Sequence, residues 1–214
     1  MREPINTITH LIGVLLGFLA LGIMVTQAIL KHNPYFLASG FIFGMSIILL
    51  YSASTIYHWY NGKKDNILVK LRKLDHSMIF VLIAGTYTPI CLTVLRGTLG
   101  YVLLALVWSL AIFGTISKVI FINMPRWLSA GMYLFLGWLS IFFIVPIFRA
   151  LPFAGFLWLV IGGILYTVGS VFYAKKPKFS ISGFGFHEIF HLFILAGSLA
   201  HFILINQYIF GMNS

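Results

Sequence analysis

Residues 11–30 read LIGVLLGFLALGIMVTQAIL, twenty positions without one charged side chain. A bilayer core needs about 20 apolar residues to be crossed by an α-helix, so this run is long enough to span a membrane. Working outward, six further segments have the same character. Together the seven lie at about 9–30, 35–59, 76–95, 99–121, 127–148, 153–174 and 187–209. Between them stand Asn33-Pro34, Arg96-Gly97, Met124-Pro125, Leu151-Pro152 and Lys176-Pro177, pairs that end helices more readily than they continue them. Short connections force consecutive helices to run antiparallel. The expectation is an all-α, polytopic protein with seven transmembrane helices, forming a single domain over residues 1–214.

Composition agrees. Of 214 residues, 60% are hydrophobic and only 8% charged, against roughly a quarter charged in a soluble domain. Too few charges remain to solvate a surface, so most of it must face lipid. The net charge of +10 raises the question of nucleic acid, but the basic residues are scattered through short segments between apolar runs, and no nucleic-acid partner is expected. Cys91 is the only cysteine, which excludes a disulfide framework and a thiolate metal site. The first apolar run is about twice as long as a signal-peptide core and lacks a convincing cleavage site, so it is expected to stay as a helix.

Charge also orients the chain. Arg2, Lys63, Lys64, Lys70, Arg72, Lys73, Lys118, Arg126, Lys175, Lys176 and Lys178 fall on one side of the expected membrane, and only Lys31, Arg96 and Arg149 on the other. The positive-inside rule then places the N-terminus in the cytoplasm and the C-terminus outside. That orientation is opposite to that of a G-protein-coupled receptor. The acidic residues Glu3, Asp65, Asp75 and Glu188 all fall on the cytoplasmic side, as do His10, His58, His76, His187 and His191. Ionisable groups in membrane helices are costly and usually mark function.

His187 and His191 are spaced i, i+4, which puts both rings on one helix face within reach of a single metal ion. Ser54 and His58 repeat the spacing at the end of the second helix, at the same membrane depth. Three neutral imidazoles, His58, His187 and His191, make the protein part of a tetrahedral zinc site with one open position. The alternative is a set of interfacial histidines bonded to water and headgroups. Ser54 can instead bond back to its own helix. Asp75 sits where the third helix is expected to open, which suits an N-terminal cap. His76 beside it reads as interfacial, His32 as an exposed loop residue, and His201 as a hydrogen-bonder between helices, too deep for the cluster. Gly40 and Gly44 read as a close helix contact, and Gly85-Thr86-Tyr87-Thr88-Pro89 as a loosened stretch of the third helix.

His187-Glu188-Ile189-Phe190-His191 also fits the H-E-x-x-H pattern of zinc proteases, whose Glu is the general base. Such proteases draw a third ligand from downstream. No acidic residue follows Glu188 here, so the metal reading is kept and the protease reading dropped.

Three blocks recur together at the expected helix ends: Glu3-x-x-Asn6-x-x-x-His10, then Ser54-x-x-x-His58 with Asp75, then His187-x-x-x-His191. In this the chain resembles the hemolysin III proteins. These are the bacterial branch of the progestin and adiponectin receptor family, within a superfamily that includes alkaline ceramidases. The resemblance implies seven helices, a multi-pass place in the bacterial cell membrane, and zinc held by His58, His187 and His191 with Ser54 and Asp75 beside the reacting water. It also implies a hydrolase of lipid amides or esters acting on membrane lipids, with Asp75 as base and Ser54 steadying the oxyanion. The alternatives are a sensor with structural zinc, with Asp75 as candidate fourth ligand, and a pore-forming cytolysin.

Overall fold

The structure, a computed structural model, describes residues 1–62, 65–121, 123–178 and 184–211. Lys63 and Lys64, counted above for orientation, lie outside them. Among the described residues are eight α-helices: α1 (Pro4–Leu30), α2 (Pro34–Trp59), α3 (Asp65–Pro89), α4 (Thr98–Ile120), α5 (Arg126–Gly137), α6 (Ile144–Ala150), α7 (Phe153–Lys175) and α8 (Phe186–Ile203). A 3-10 stretch over Trp138–Phe143 joins α5 to α6, and the three pieces act as one span. The result is seven helices long and apolar enough to cross a membrane. Large apolar side chains such as Leu15, Phe18, Phe142 and Phe153 cover the outside. Lipid replaces water there, and internally bonded helices leave no backbone group unsatisfied.

Local chemistry sets the helix limits. Pro34 supplies the first turn of α2, where its missing N–H costs nothing, and the Asn33 side chain accepts hydrogen bonds from the N–H groups of Tyr35 and Phe36 at 3.0 and 3.2 Å. Pro125 and Pro152 stand one residue earlier, at the N-cap positions of α5 and α7. Lys176 ends α7 in the left-handed region at φ 47°. The Gly85–Pro89 stretch, expected to be loosened, stays α-helical to Pro89. Past Pro89 the chain widens into a π-helical turn over Ile90–Val94, closed by Leu95 N–H donating to the Ile90 carbonyl at 2.9 Å.

Close packing of α1 and α2 depends on residues without side chains. A Cβ at Gly44 would lie 2.8 Å from Leu21 Cβ and 3.0 Å from Leu21 Cα, and one at Gly40 would lie 2.9 Å from Met24 Cβ. Gly13 and Gly17 on α1 make room in return for Tyr51 and Ile47. In lipid no hydrophobic effect drives helices together, so such van der Waals contact carries the association. α8 packs against α7 and also returns to α1.

Two further expectations are corrected. α3 begins at Asp65, ten residues earlier than expected, so Lys70, Arg72 and Lys73 ride on a helix and Asp75 lies inside it rather than capping it. Asp75 is only 8% exposed. Lys118 is not in a loop either. It lies in α4, buried, and its ammonium donates to the Ser129 hydroxyl.

Gly44→Ala is expected to lower stability by about 1–3 kcal/mol through overpacking against the Leu21 backbone. Gly22→Ala, where a Cβ meets nothing within 4 Å, is expected to leave the thermal midpoint in detergent unchanged or slightly raised.

Candidate metal centre

Three chain segments meet at one end of the bundle. The residues ahead of α1 are tied to the end of α2 by the Glu3 N–H, which donates to the His58 carbonyl at 3.2 Å. His58 occupies the last turn of α2, while His187 and His191 occupy the first two turns of α8. His58 and His191 are each 1% exposed, and His187 is half-buried. A ring nitrogen from each lies within 4.8 Å of the others, so the three could hold a metal ion. The Nε2 atoms of His58 and His187 are 3.3 Å apart. Two nitrogens bonded tetrahedrally to one zinc at 2.0–2.1 Å would be separated by roughly 3.3 Å, so this edge already fits.

The partners around the rings decide which nitrogens are free to bind. His58 Nδ1 donates to Glu3 Oε2 at 2.5 Å, leaving Nε2 with a lone pair directed towards His187. A carboxylate behind a histidine in this way fixes the tautomer and raises the ring's basicity. The bond from His58 is also the main reason the Glu3 carboxyl is lowered to about 2, against a burial that alone would raise it. The Thr9 hydroxyl donates to the carbonyls of Ile5 and Asn6, so it accepts from His191 Nδ1 at 3.4 Å, and His191 Nε2 stays bare.

Asn6, buried on α1, bridges two acids of this end, Glu3 and Glu188. Its Nδ2 donates to Glu3 Oε2 at 3.1 Å and to Glu188 Oε1 at 2.8 Å. The other Glu188 oxygen accepts from the Gly185 N–H at 2.9 Å, capping the start of α8. The Glu of the H-E-x-x-H pattern is thus committed to bracing helices, which agrees with dropping the protease reading. His10 stacks on His191 with ring centroids 3.5 Å apart and planes 8° from parallel. Thr9 gives no spacing signal of its own, and Asn6 is marked only by the Glu3-x-x-Asn6-x-x-x-His10 block. Their roles arise only where α1 lies across the start of α8.

A cavity leads inward from this cluster. It has a volume of about 140 Å³. Its wall includes His187, His191, Ser54 and Asp75, then mostly apolar side chains of α3, α5, α7 and α8. Ser54 lies one turn before His58, and its hydroxyl is buried with no hydrogen-bond partner. It does not bond back to its own helix. Asp75 Oδ2 lies 3.3 Å from His76 Nδ1, which donates its proton to the Arg72 carbonyl at 2.9 Å. His76 is not interfacial: it is 8% exposed, and its Nε2 lies 3.1 Å from the Tyr173 hydroxyl. His32 is exposed as expected. His201 lies outside the cluster, and its Nδ1 bonds its own helix at Gly197 instead of another helix.

Glu3→Gln keeps the size of the side chain and removes its charge. It is expected to weaken divalent-metal affinity about 10–100-fold in a chelator-competition titration. Lys70→Gln, on the exposed start of α3, is expected to leave that affinity unchanged.

Comparison with known proteins places these features. A family model described as "Haemolysin-III related" matches residues 1–202. The chain is 44% identical over 208 residues to a Bacillus subtilis protein named "Hemolysin-3 homolog", covering 97% of this chain and 94% of that one. It is 42% identical over 210 residues to "Hemolysin-3" of Bacillus cereus, covering 97% and 92%. A more distant human relative, "Monocyte to macrophage differentiation factor", is 25% identical over 175 residues, covering 80% and 71%. With seven apolar spans and a match over nearly its whole length, the chain belongs to the haemolysin-III-related family of multi-pass membrane proteins.

Proposed function

We propose that this protein is a zinc-dependent hydrolase of a lipid amide or ester, working in membrane-lipid homeostasis. One observation carries the reading. Three imidazoles converge, and two of them, His187 and His191, line an apolar cavity whose wall also holds Asp75 and a Ser54 hydroxyl with no partner among the described residues. Three histidines, with no fourth donor grouped with them among the described residues, match catalytic zinc sites, whereas structural sites take four protein ligands. Neutral imidazoles without a carboxylate ligand suit zinc better than redox-active iron.

His58, His187 and His191 would hold the ion. Zinc at such a site supplies Lewis acidity towards a carbonyl oxygen and lowers the pKa of water towards neutrality. Asp75 would take the proton of the attacking water at its carboxylate, which lines the cavity beside His187 and His191. Ser54 would donate its hydroxyl hydrogen to the developing oxyanion, since no described residue claims it. The apolar wall would seat the hydrocarbon chain and exclude bulk water. With the Lys/Arg-rich end in the cytoplasm of a bacterial cell, the cluster would sit where lipid headgroup linkages lie.

A second reading, a regulator with structural zinc, requires a fourth ligand, and Asp75 was the candidate. Asp75 is not grouped with the three imidazoles, which favours the catalytic role. A third, pore formation, draws on the names of the Bacillus relatives. The mostly apolar cavity wall speaks for a lipid occupant instead of ions.

Mass spectrometry of protein purified in detergent without chelator is expected to find about one zinc per chain, lost in both His58→Ala and His191→Ala. Asp75→Asn is expected to keep the metal and lose about 10²–10⁴-fold in turnover of a lipid amide or ester. If metal removal lowered the thermal midpoint while no screened lipid was cleaved, the structural-zinc reading would replace this one. Leakage of ion-loaded liposomes at low protein content would favour the pore.

A further inference from the structure

The polar face of α8 continues well beyond the histidine cluster. Ser198 and His201 follow His191 by seven and ten residues, spacings that return to one side of a helix. The proposed hydrolysis uses neither of them. Ser198 is satisfied, with the Tyr51 and Tyr166 hydroxyls 2.6 and 2.9 Å from its Oγ. His201 is not. Its Nδ1 lies 2.8 Å from the Gly197 carbonyl, which can only accept, so the proton sits on Nδ1. No carboxylate is bonded to the ring, and an unpaired imidazolium in apolar surroundings is costly, so the ring is neutral. Nε2 is then a bare acceptor.

No described residue hydrogen-bonds to that atom, and it is not among the enclosed orphans such as the two nitrogens of His10. The His201 ring lines the cavity and is 4% exposed. It is also held in one position. The Tyr166 ring stacks on it at 5.2 Å with planes 12° apart, and a Cβ at Gly162 would come within 2.3 Å of its Cε1. The fold thus keeps a fixed, unpaired acceptor in an apolar cavity ten residues along α8 from His191, roughly 15 Å.

We propose that the cavity selects a lipid whose hydrocarbon chain carries a hydroxyl roughly 15 Å from the group held at the histidine cluster, and that His201 accepts its hydrogen bond. A site built around an acceptor rejects a chain lacking the donor, because the buried lone pair is then left unpaired. The proposal rests on the lipid occupant of the hydrolase reading and not on turnover.

The test is competition binding to the purified protein in nanodiscs, displacing a fluorescent fatty acid with two probes. One is stearate, the other a stearate with a single hydroxyl near mid-chain. The wild type is expected to prefer the hydroxylated chain by roughly tenfold. A stearate hydroxylated next to its carboxylate is expected to show no such preference. In His201→Phe, which keeps a flat ring of similar size, the preference is expected to vanish while the thermal midpoint reports the fold. Equal binding of the two chains by the wild type, binding of neither, or a preference retained in His201→Phe would overturn the proposal. Should His201→Phe not fold, the wild-type comparison of the positional isomers decides alone. A preference without cleavage of any lipid would reject the hydrolase reading and leave this one standing, and cleavage without preference would do the reverse.

Discussion

The hydrogen bond between His58 Nδ1 and Glu3 Oε2 does more than hold two side chains together. A buried histidine can offer a lone pair only if its proton is kept on the other nitrogen, and here a carboxylate keeps it there. The same carboxylate is held by Asn6, which also holds Glu188, which in turn caps α8. The start of α1, the end of α2 and the start of α8 are therefore joined by one polar network. In water these groups could be satisfied separately. Close to hydrocarbon each depends on the next, so the network fixes the relative position of three helices and, with it, the geometry of the histidine cluster.

Glycines complement this network along the rest of α1 and α2. Gly13, Gly17, Gly40 and Gly44 let the two backbones approach so closely that a methyl group at any of them would clash. Polar anchoring at one end and close packing along the length constrain the same pair of helices. α5 and α6, interrupted by the 3-10 stretch Trp138–Phe143, carry no member of the cluster, and their larger apolar side chains mostly face outward. Their inward residues, with those of α3 and α7, wall a cavity that begins at histidines and ends in apolar surface. Such an arrangement matches an amphipathic occupant, polar at one end and hydrocarbon beyond, better than an ion or a soluble metabolite.

Several features of the fold were legible in the chain itself. Runs such as 11–30 can only be buried in lipid, and proline pairs such as Leu151-Pro152 end helices through their own backbone chemistry. The three histidines could be chosen because i, i+4 spacing and a shared membrane depth are one-dimensional properties. The misplacements came where charge was taken to mean loop. Lys70 to Asp75 read as a polar connection before a helix, whereas α3 simply continues outward past the apolar core with its polar residues on it. Lys118 was misplaced for the same reason: a hydroxyl on the next helix satisfies it inside the bundle.

The sequence alone determined that this is a seven-helix membrane protein with a set of histidines gathered at one end, since hydropathy and spacing are local along the chain. Only the tertiary structure decided which nitrogens of His58 and His191 are free, that Asn6 links Glu3 to Glu188, that Asp75 lies inside α3 instead of capping it, and that the Ser54 hydroxyl has no partner among the described residues. Those outcomes depend on how α1 and α3 lie against α2 and α8. A hydrogen bond between residues nearly the whole chain apart, such as Asn6 to Glu188, leaves no periodic trace in either segment from which it could be read.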